Sequence, residues 1–187
     1  MKRKVLVLLA DGFEEIEAIT SIDVLRRAGL SVTVAGVGKK TVRGSRGVTV
    51  KTDIRLSLNR ALPDAVLLPG GMPGVQNLSA SREVNKLIVK AANNGKVIAA
   101  ICAAPSHILV PTGVLDGKKA TCYPGCEGLL KGRARYVDKK VVTDGDFITS
   151  QGPGTAFDFA LTLVGRLRGS SVEKAVRKKI LYGSSKK

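Results

Sequence analysis

The sequence predicts an α/β protein, a doubly wound, mostly parallel sheet with helices on both faces. Three observations carry this. Strand-like and helix-like segments alternate along the chain. The interior runs Ala65–Leu68 and Val97–Ile101 are made of small aliphatics, as central parallel strands are. Aromatic residues are only 4% of the chain, with no Trp, so those aliphatics must fill the core. With 187 residues, 44% of them hydrophobic, one domain spanning 1–187 around one compact core is expected.

Val5–Leu9 reads as the first strand. Glu14 to Ala28 follows as a helix, with Ile16, Ile19, Ile22 and Leu25 at helical spacing and Gly29 closing it. Leu30–Ala35 is the second strand, and 42–50, with Gly44 and Gly47, reads as short extended pieces forming a hairpin. Ala65–Leu68 ends in Pro69-Gly70-Gly71, and a helix over about 81–93 stops at Asn94-Gly95. Val97–Ile101 is the central strand, turning at Cys102 into another helix. Asp144-Gly145-Asp146 lies between two extended pieces, 141–143 and 147–150, as in a hairpin. A last long helix opens near Thr155, with Asp158 placed to complete a capping box. A basic helix and tail occupy about 170–187.

No apolar stretch is long enough to span a bilayer, so no membrane partner is expected. Lys2-Arg3-Lys4 precedes only a short apolar run, which acidic residues end; that is a strand, not a signal peptide. Three cysteines fit free thiols in a reducing compartment, the cytoplasm. The net charge of +16 suits anionic partners, but no zinc-finger spacing or aromatic RNA-binding motif accompanies it. A solvated basic helix face with a frayed tail is therefore favoured over nucleic-acid binding. Cys122 and Cys126 lack further Cys or His partners, so no metal is expected and the two read as structural or redox-reactive thiols. Gly36-Val37-Gly38 lacks the third glycine of a dinucleotide loop and no Walker pattern is present, so no cofactor is expected either.

Cys102 is the most informative residue. A sharp strand-to-helix turn projects its side chain toward a helix N-terminus, where backbone N–H groups favour a thiolate. The arrangement is that of a nucleophile elbow with Cys in place of Ser. The competing reading is a small buried hydrophobe at the end of a core strand. Ligands of doubly wound sheets bind at the carboxyl ends of the strands. Three segments meet there: 10–17 after the first strand, 69–74 after the third, and Cys102. The glycines of 69–74 allow close backbone approach and leave N–H groups free for an oxyanion.

The segments Leu68-Pro69-Gly70-Gly71, 99–105 around Cys102, and Thr149-Ser150-Gln151-Gly152-Pro153-Gly154-Thr155 together resemble the ThiJ/PfpI superfamily. The runs 11–17 and 23–29 narrow the likeness to the branch of the parkinsonism-associated protein DJ-1. The motifs stand in the same order from Val5 to about Arg168. The resemblance implies a flavodoxin-like fold and a homodimer. It implies Cys102 as the reactive cysteine and Glu17 as the acid that hydrogen-bonds it. It gives Gly71 and Ala103 as oxyanion N–H donors, with Gly70, Tyr123 and Pro153 completing the substrate wall. Glu14 and Asp23, with Arg27 and Arg46, match polar residues near the pocket and dimer interface. Tyr123 stands where relatives often have His, and Ala103 stands where the peptidase branch has His. The one histidine, His107, reads as an ordinary helix residue, so a Cys–His peptidase is disfavoured.

An ionised Glu17 would repel a thiolate, whereas a protonated one can donate to it. The pairing therefore requires burial that keeps Glu17 neutral near pH 7, while Glu14 and Glu15 are expected to be more exposed. The implied activity is a cofactor-independent glyoxalase or deglycase, acting on a small 2-oxoaldehyde such as methylglyoxal or glyoxal and releasing a 2-hydroxy acid. The alternative is a redox-sensing chaperone in which an acidic, exposed Cys102 thiolate oxidises to sulfinic acid.

Overall fold

The computed structural model describes residues 2–183. Its elements run β1 (Lys4–Leu9), α1 (Glu15–Arg27), β2 (Ser31–Gly36), β3 (Thr41–Arg43), β4 (Thr49–Lys51), β5 (Ile54–Arg55) and β6 (Ala65–Leu68). Then come α2 (Gly74–Ala80), α3 (Arg82–Asn93), β7 (Val97–Ile101), a π-turn (Pro105–Leu109) leading into α4 (Val110–Thr112), and β8 (Lys119–Ala120). The chain continues through β9 (Arg135–Tyr136), β10 (Val141–Asp144), β11 (Phe147–Ser150), α5 (Ala156–Arg168) and α6 (Ser170–Lys179), with single 3₁₀ turns at Glu127–Leu130 and Pro153–Thr155.

Seven strands form one sheet in the order β10-β11-β7-β6-β1-β2-β5. All neighbours are parallel except the β10–β11 hairpin, so the α/β class and the mostly parallel sheet are observed. Ala65–Leu68 and Val97–Ile101 are buried at every position, because helices and loops cover both faces. Helix α1 packs on α5 and β2, while α3 packs on β6 and β7. The hairpin expected over 42–50 is the antiparallel pair β3–β4.

The structure corrects two local expectations, the buried face of α1 and the cap of α5. Ile16 and Ile19 are 54% and 43% exposed, and α1 buries Glu17, Ala18, Ser21, Ile22, Val24 and Leu25 instead. Glu14, half-buried, and Glu15, 9% exposed, are both more exposed than Glu17 at 0%, as expected. The Thr155–Asp158 capping box does not form. Thr155 Oγ1 turns back to accept from Gly152 N–H at 3.1 Å and bonds Ser150 Oγ at 2.7 Å. The helix opening near Thr155 ends at Arg168, and after Gly169, whose φ of +87° favours a residue without a Cβ, the expected basic helix follows as α6.

The C-terminal segment is also more than a frayed tail. Tyr182 stacks on Phe157 with ring centroids 5.0 Å apart and donates to Asp158 Oδ2 at 2.9 Å. Residues 184–187, including Lys186 and Lys187, lie outside the described residues. No helix among the described residues is long and apolar enough to cross a membrane.

Candidate active site

Cys102 ends β7 with φ +66°, a conformation costly for a side chain with a Cβ. Two neighbours over-determine it. Cys102 N–H donates to Ser150 O at 2.9 Å, and Tyr123 N–H donates to Cys102 O at 2.8 Å. Ser150 is itself fixed, its hydroxyl bonding Lys140 O and Thr155 Oγ1. The turn 149–155 therefore acts as the clamp that holds the strained cysteine.

Glu17 reaches the thiol from α1. Glu14 caps this helix, accepting from Glu17 N–H at 2.8 Å and so starting the turn that aims residue 17 inward. The Glu17 side chain is fully buried. Its Oε2 accepts from Gly70 N–H at 2.7 Å, while Oε1 has no hydrogen-bond partner. Burial pushes Glu17 up to about 7, with the charge of Glu14 adding; the Gly70 N–H and the Cys102 thiol oppose the rise. A buried carboxyl oxygen without a partner fits a group reserved for moving a proton.

Cys102 is 8% exposed. Burial raises it above the ordinary thiol range, and an ionised Glu17 raises it further, while the N–H groups of Ala103 and Gly71 lower it. The expectation of an exposed, acidic thiol is thus not met as stated, because the sulfur lies under the Gly70–Gly71 turn. The charge on Glu17 therefore acts directly on the thiol. A proton on Glu17 removes the charge that opposes the thiolate, leaving two backbone donors facing the sulfur.

The glycines here are steric necessities. A Cβ on Gly70 would lie 2.6 Å from Cys102 Cβ and 2.9 Å from Glu17 Oε2. Gly71, at φ +96°, would put a Cβ 2.4 Å from Gly12 O. Gly12 is a participant that the sequence reading passed over within the 10–17 segment. The Tyr123 ring, half exposed, packs on Gly152, where a Cβ would come within 3.2 Å of it. Pro153 follows in the same turn, half-buried.

The other singled-out residues separate. Glu14 stays with the pair. Asp23 and Arg27 bond each other at 2.6 Å, half exposed, toward the far end of α1. Arg46 contributes its backbone N–H to Glu15 Oε1 at 2.7 Å. Glu15 was not singled out, yet it also takes Val48 N–H and Ser45 Oγ, tying the β3–β4 hairpin to the start of α1. Its carboxyl is held below the usual range by those donors, against the cost of burial. His107 Nδ1 lies 3.1 Å from Ala103 O and 3.0 Å from Ser106 Oγ, so its ring is engaged within its own turn. Cys122 is buried, and burial pushes its thiol up to about 12, with Cys126 and Glu127 adding. Cys126 is half-buried. Among the described residues, no three His, Cys, Asp or Glu side chains cluster as metal ligands.

Known proteins resemble the chain along nearly its whole length. The model of the DJ-1/PfpI family matches residues 3–166. Protein dj-1beta of Drosophila melanogaster is 44% identical over 184 residues, 97% of this chain and 98% of the relative. The crystal structure of Drosophila DJ-1beta superposes with a TM-score of 0.93 at 42% identity, covering 98% of this chain and all of that one. Protein DJ-1 homolog B of Arabidopsis thaliana is 42% identical over 93% of this chain, which spans only 40% of that longer protein. A Caenorhabditis elegans relative named glutathione-independent glyoxalase DJR-1.2 is 35% identical over 90% of each chain.

Proposed function

The chain belongs to the DJ-1/PfpI family, and on that footing we propose that it is a cofactor-independent glyoxalase. Its substrate is a small 2-oxoaldehyde such as methylglyoxal, and its product is the 2-hydroxy acid. The observation that carries the reading is the buried Glu17. Its carboxyl holds a proton up to about pH 7 and has one free oxygen beside a thiol that two backbone N–H groups face. The name of the C. elegans relative supports the same reading.

The Cys102 sulfur adds to the aldehyde carbon, forming a C–S bond, and the aldehyde oxygen becomes the oxyanion. The N–H groups of Gly71 and Ala103 receive that charge. The one proton that Cys102 and Glu17 hold between them passes to the oxygen of the neighbouring carbon, which becomes the hydroxyl. The Glu17 carboxylate then takes the proton from the former aldehyde carbon and returns it to the neighbouring carbon. The result is a thioester of the 2-hydroxy acid. Water cleaves it, the C–S bond breaks and the thiol is restored. Substrate plus one water gives lactate from methylglyoxal, with no external oxidant or reductant. The same thiol acting on methylglyoxal adducts of amines would appear as deglycase activity.

A homodimer fits the outer face of α1. Ile16 and Ile19 point outward there, and Val48, 52% exposed, sits on the hairpin that Glu15 holds beside them. In sedimentation, Ile19→Lys is expected to shift a dimer to monomer; an unchanged mass removes this face.

The activity test follows methylglyoxal loss and lactate gain in amine-free buffer. Wild type should turn over many times. Cys102→Ser should lose about a thousandfold or more, and Glu17→Gln about a hundredfold or more. No turnover by wild type, with Cys102 selectively oxidised by dilute peroxide, would reject the glyoxalase and favour a redox sensor, whose sulfinate Glu17 and the two N–H groups could bind.

A further inference from the structure

The opposite end of the sheet holds a cavity of about 510 Å³ in which the Cys102–Glu17 chemistry has no part. Its origin lies in the topology. Lys4 and Leu6 of β1 are in register with Ser31 and Thr33 of β2, and Ala35 with Ile54 of β5. Alternation places these side chains on one face of the sheet. Helix α3 reaches this face over β6 and β7, and Leu87 from it forms a wall of the cavity. Beyond α3, the irregular segment 57–63 lies over the strands in place of a helix, and Leu58, Leu62 and Pro63 from it line the cavity. Leu6, Thr33 and Ile54, left only half-buried, form the floor.

Four cations ring this apolar space: Lys4, Arg60, Lys86 and Lys90. All four side chains are exposed. None takes part in an ion pair recorded among the described residues. Asp64, at the same end, is already engaged by the Arg3 side chain and the Lys4 backbone N–H. The volume falls in the range of small-molecule sites. The lining contains no aromatic residue on which a base or ring could stack, so it suits an aliphatic body.

We propose that this cavity is a binding site for a free aliphatic carboxylate. Its chain lies over Leu6, Ile54 and Leu62, and its head is held by Lys86 and Lys90 with Arg60 across the mouth. The site is separate from the thiol and independent of the reaction assigned to it.

The test titrates the full chain with decanoate below its micellar range, using decanol and acetate as the uncharged and chainless probes. Calorimetry gives the stoichiometry, and amide NMR shifts give the place. One decanoate per chain is expected, shifting Thr33, Leu62 and Leu87, with decanol and acetate much weaker. Lys86→Gln/Lys90→Gln should weaken decanoate about tenfold, as loss of two partly exposed charge contacts implies. Thr33→Phe, which fills the floor, should remove binding while leaving methylglyoxal turnover as in wild type. Lys174→Gln/Lys178→Gln on α6 should leave binding unchanged, which separates the cavity from general attraction to the basic surface. Absent binding, uptake at several sites, equal binding of decanol or acetate, or insensitivity to Lys86→Gln/Lys90→Gln would each overturn the proposal.

Discussion

The two ends of this sheet are built on opposite principles. At the carboxyl end, the backbone is over-determined. Cys102 is held at φ +66° by bonds from both flanks, and Gly12, Gly70 and Gly71 leave no room for a Cβ. The titratable groups there are buried and govern each other. At the amino end, an irregular segment roofs a half-buried floor, and the four cations around it are exposed and in no ion pair recorded among the described residues. Chemistry needs groups whose ionisation and position are imposed by surroundings they cannot leave. Binding an amphipathic anion needs only apolar area and unspent charge.

That contrast can be measured as tolerance to substitution. Gly71→Ala should cost about 4 kcal/mol, because the added Cβ meets backbone atoms of Gly12, Phe13 and Glu14 at a positive φ. Urea unfolding would show it, and a loss below about 1 kcal/mol would mean that the carboxyl end yields as easily as the other.

The next effect is a pH dependence that only the buried carboxyl can produce. The folded value of Glu17, about 7, lies above its ordinary 4.5, so the folded protein holds this proton more tightly than the unfolded chain does. The stability it confers is therefore full below about pH 4.5 and is lost as pH rises through 7, a change of about 3 kcal/mol. In a Cys102→Ser background, which keeps the thiol from titrating alongside, Glu17→Gln should gain stability relative to its parent between pH 5 and pH 8.5. A pH-independent difference would mean that Glu17 is not the group that titrates.

Smaller still, Glu15→Gln should destabilise by about 2 kcal/mol through weakened bonds to Arg46 N–H, Val48 N–H and Ser45 Oγ. Hydrogen exchange should speed up in β3 and β4 first. Leu62→Ala in the roof at the amino end should cost no more than about 1 kcal/mol. A larger cost, read by thermal unfolding, would show that the roof is core and not cover.

Helix α1 shows how far the sequence could be read and where it misled. Four isoleucine and leucine residues at helical spacing pointed to a buried stripe, yet two of them face out, and the inward face carries Glu17 and Ser21. Local periodicity favours the apolar solution, and only the sheet beneath can seat a carboxyl against Gly70 N–H. The Thr155–Asp158 cap failed for a similar reason, since Ser150 and Gly152 claim Thr155 first. Helix α2 and the two-residue strands β5, β8 and β9 left no periodic signal, being too short to show one.

The sequence by itself determined the order of the longer strands and helices, the ending of a fully buried strand at Cys102, and the gathering of that residue with two other strand ends. Those follow from local runs of apolar residues and from turn chemistry, which each segment carries alone. Tertiary structure decided that Glu17 is buried, that its proton persists to about pH 7, and that the thiol is covered. It also decided that a ring of cations, in no ion pair recorded among the described residues, surrounds a cavity at the other end. Desolvation and the charge around a group depend on segments far apart in the chain, and no local pattern encodes how those segments meet.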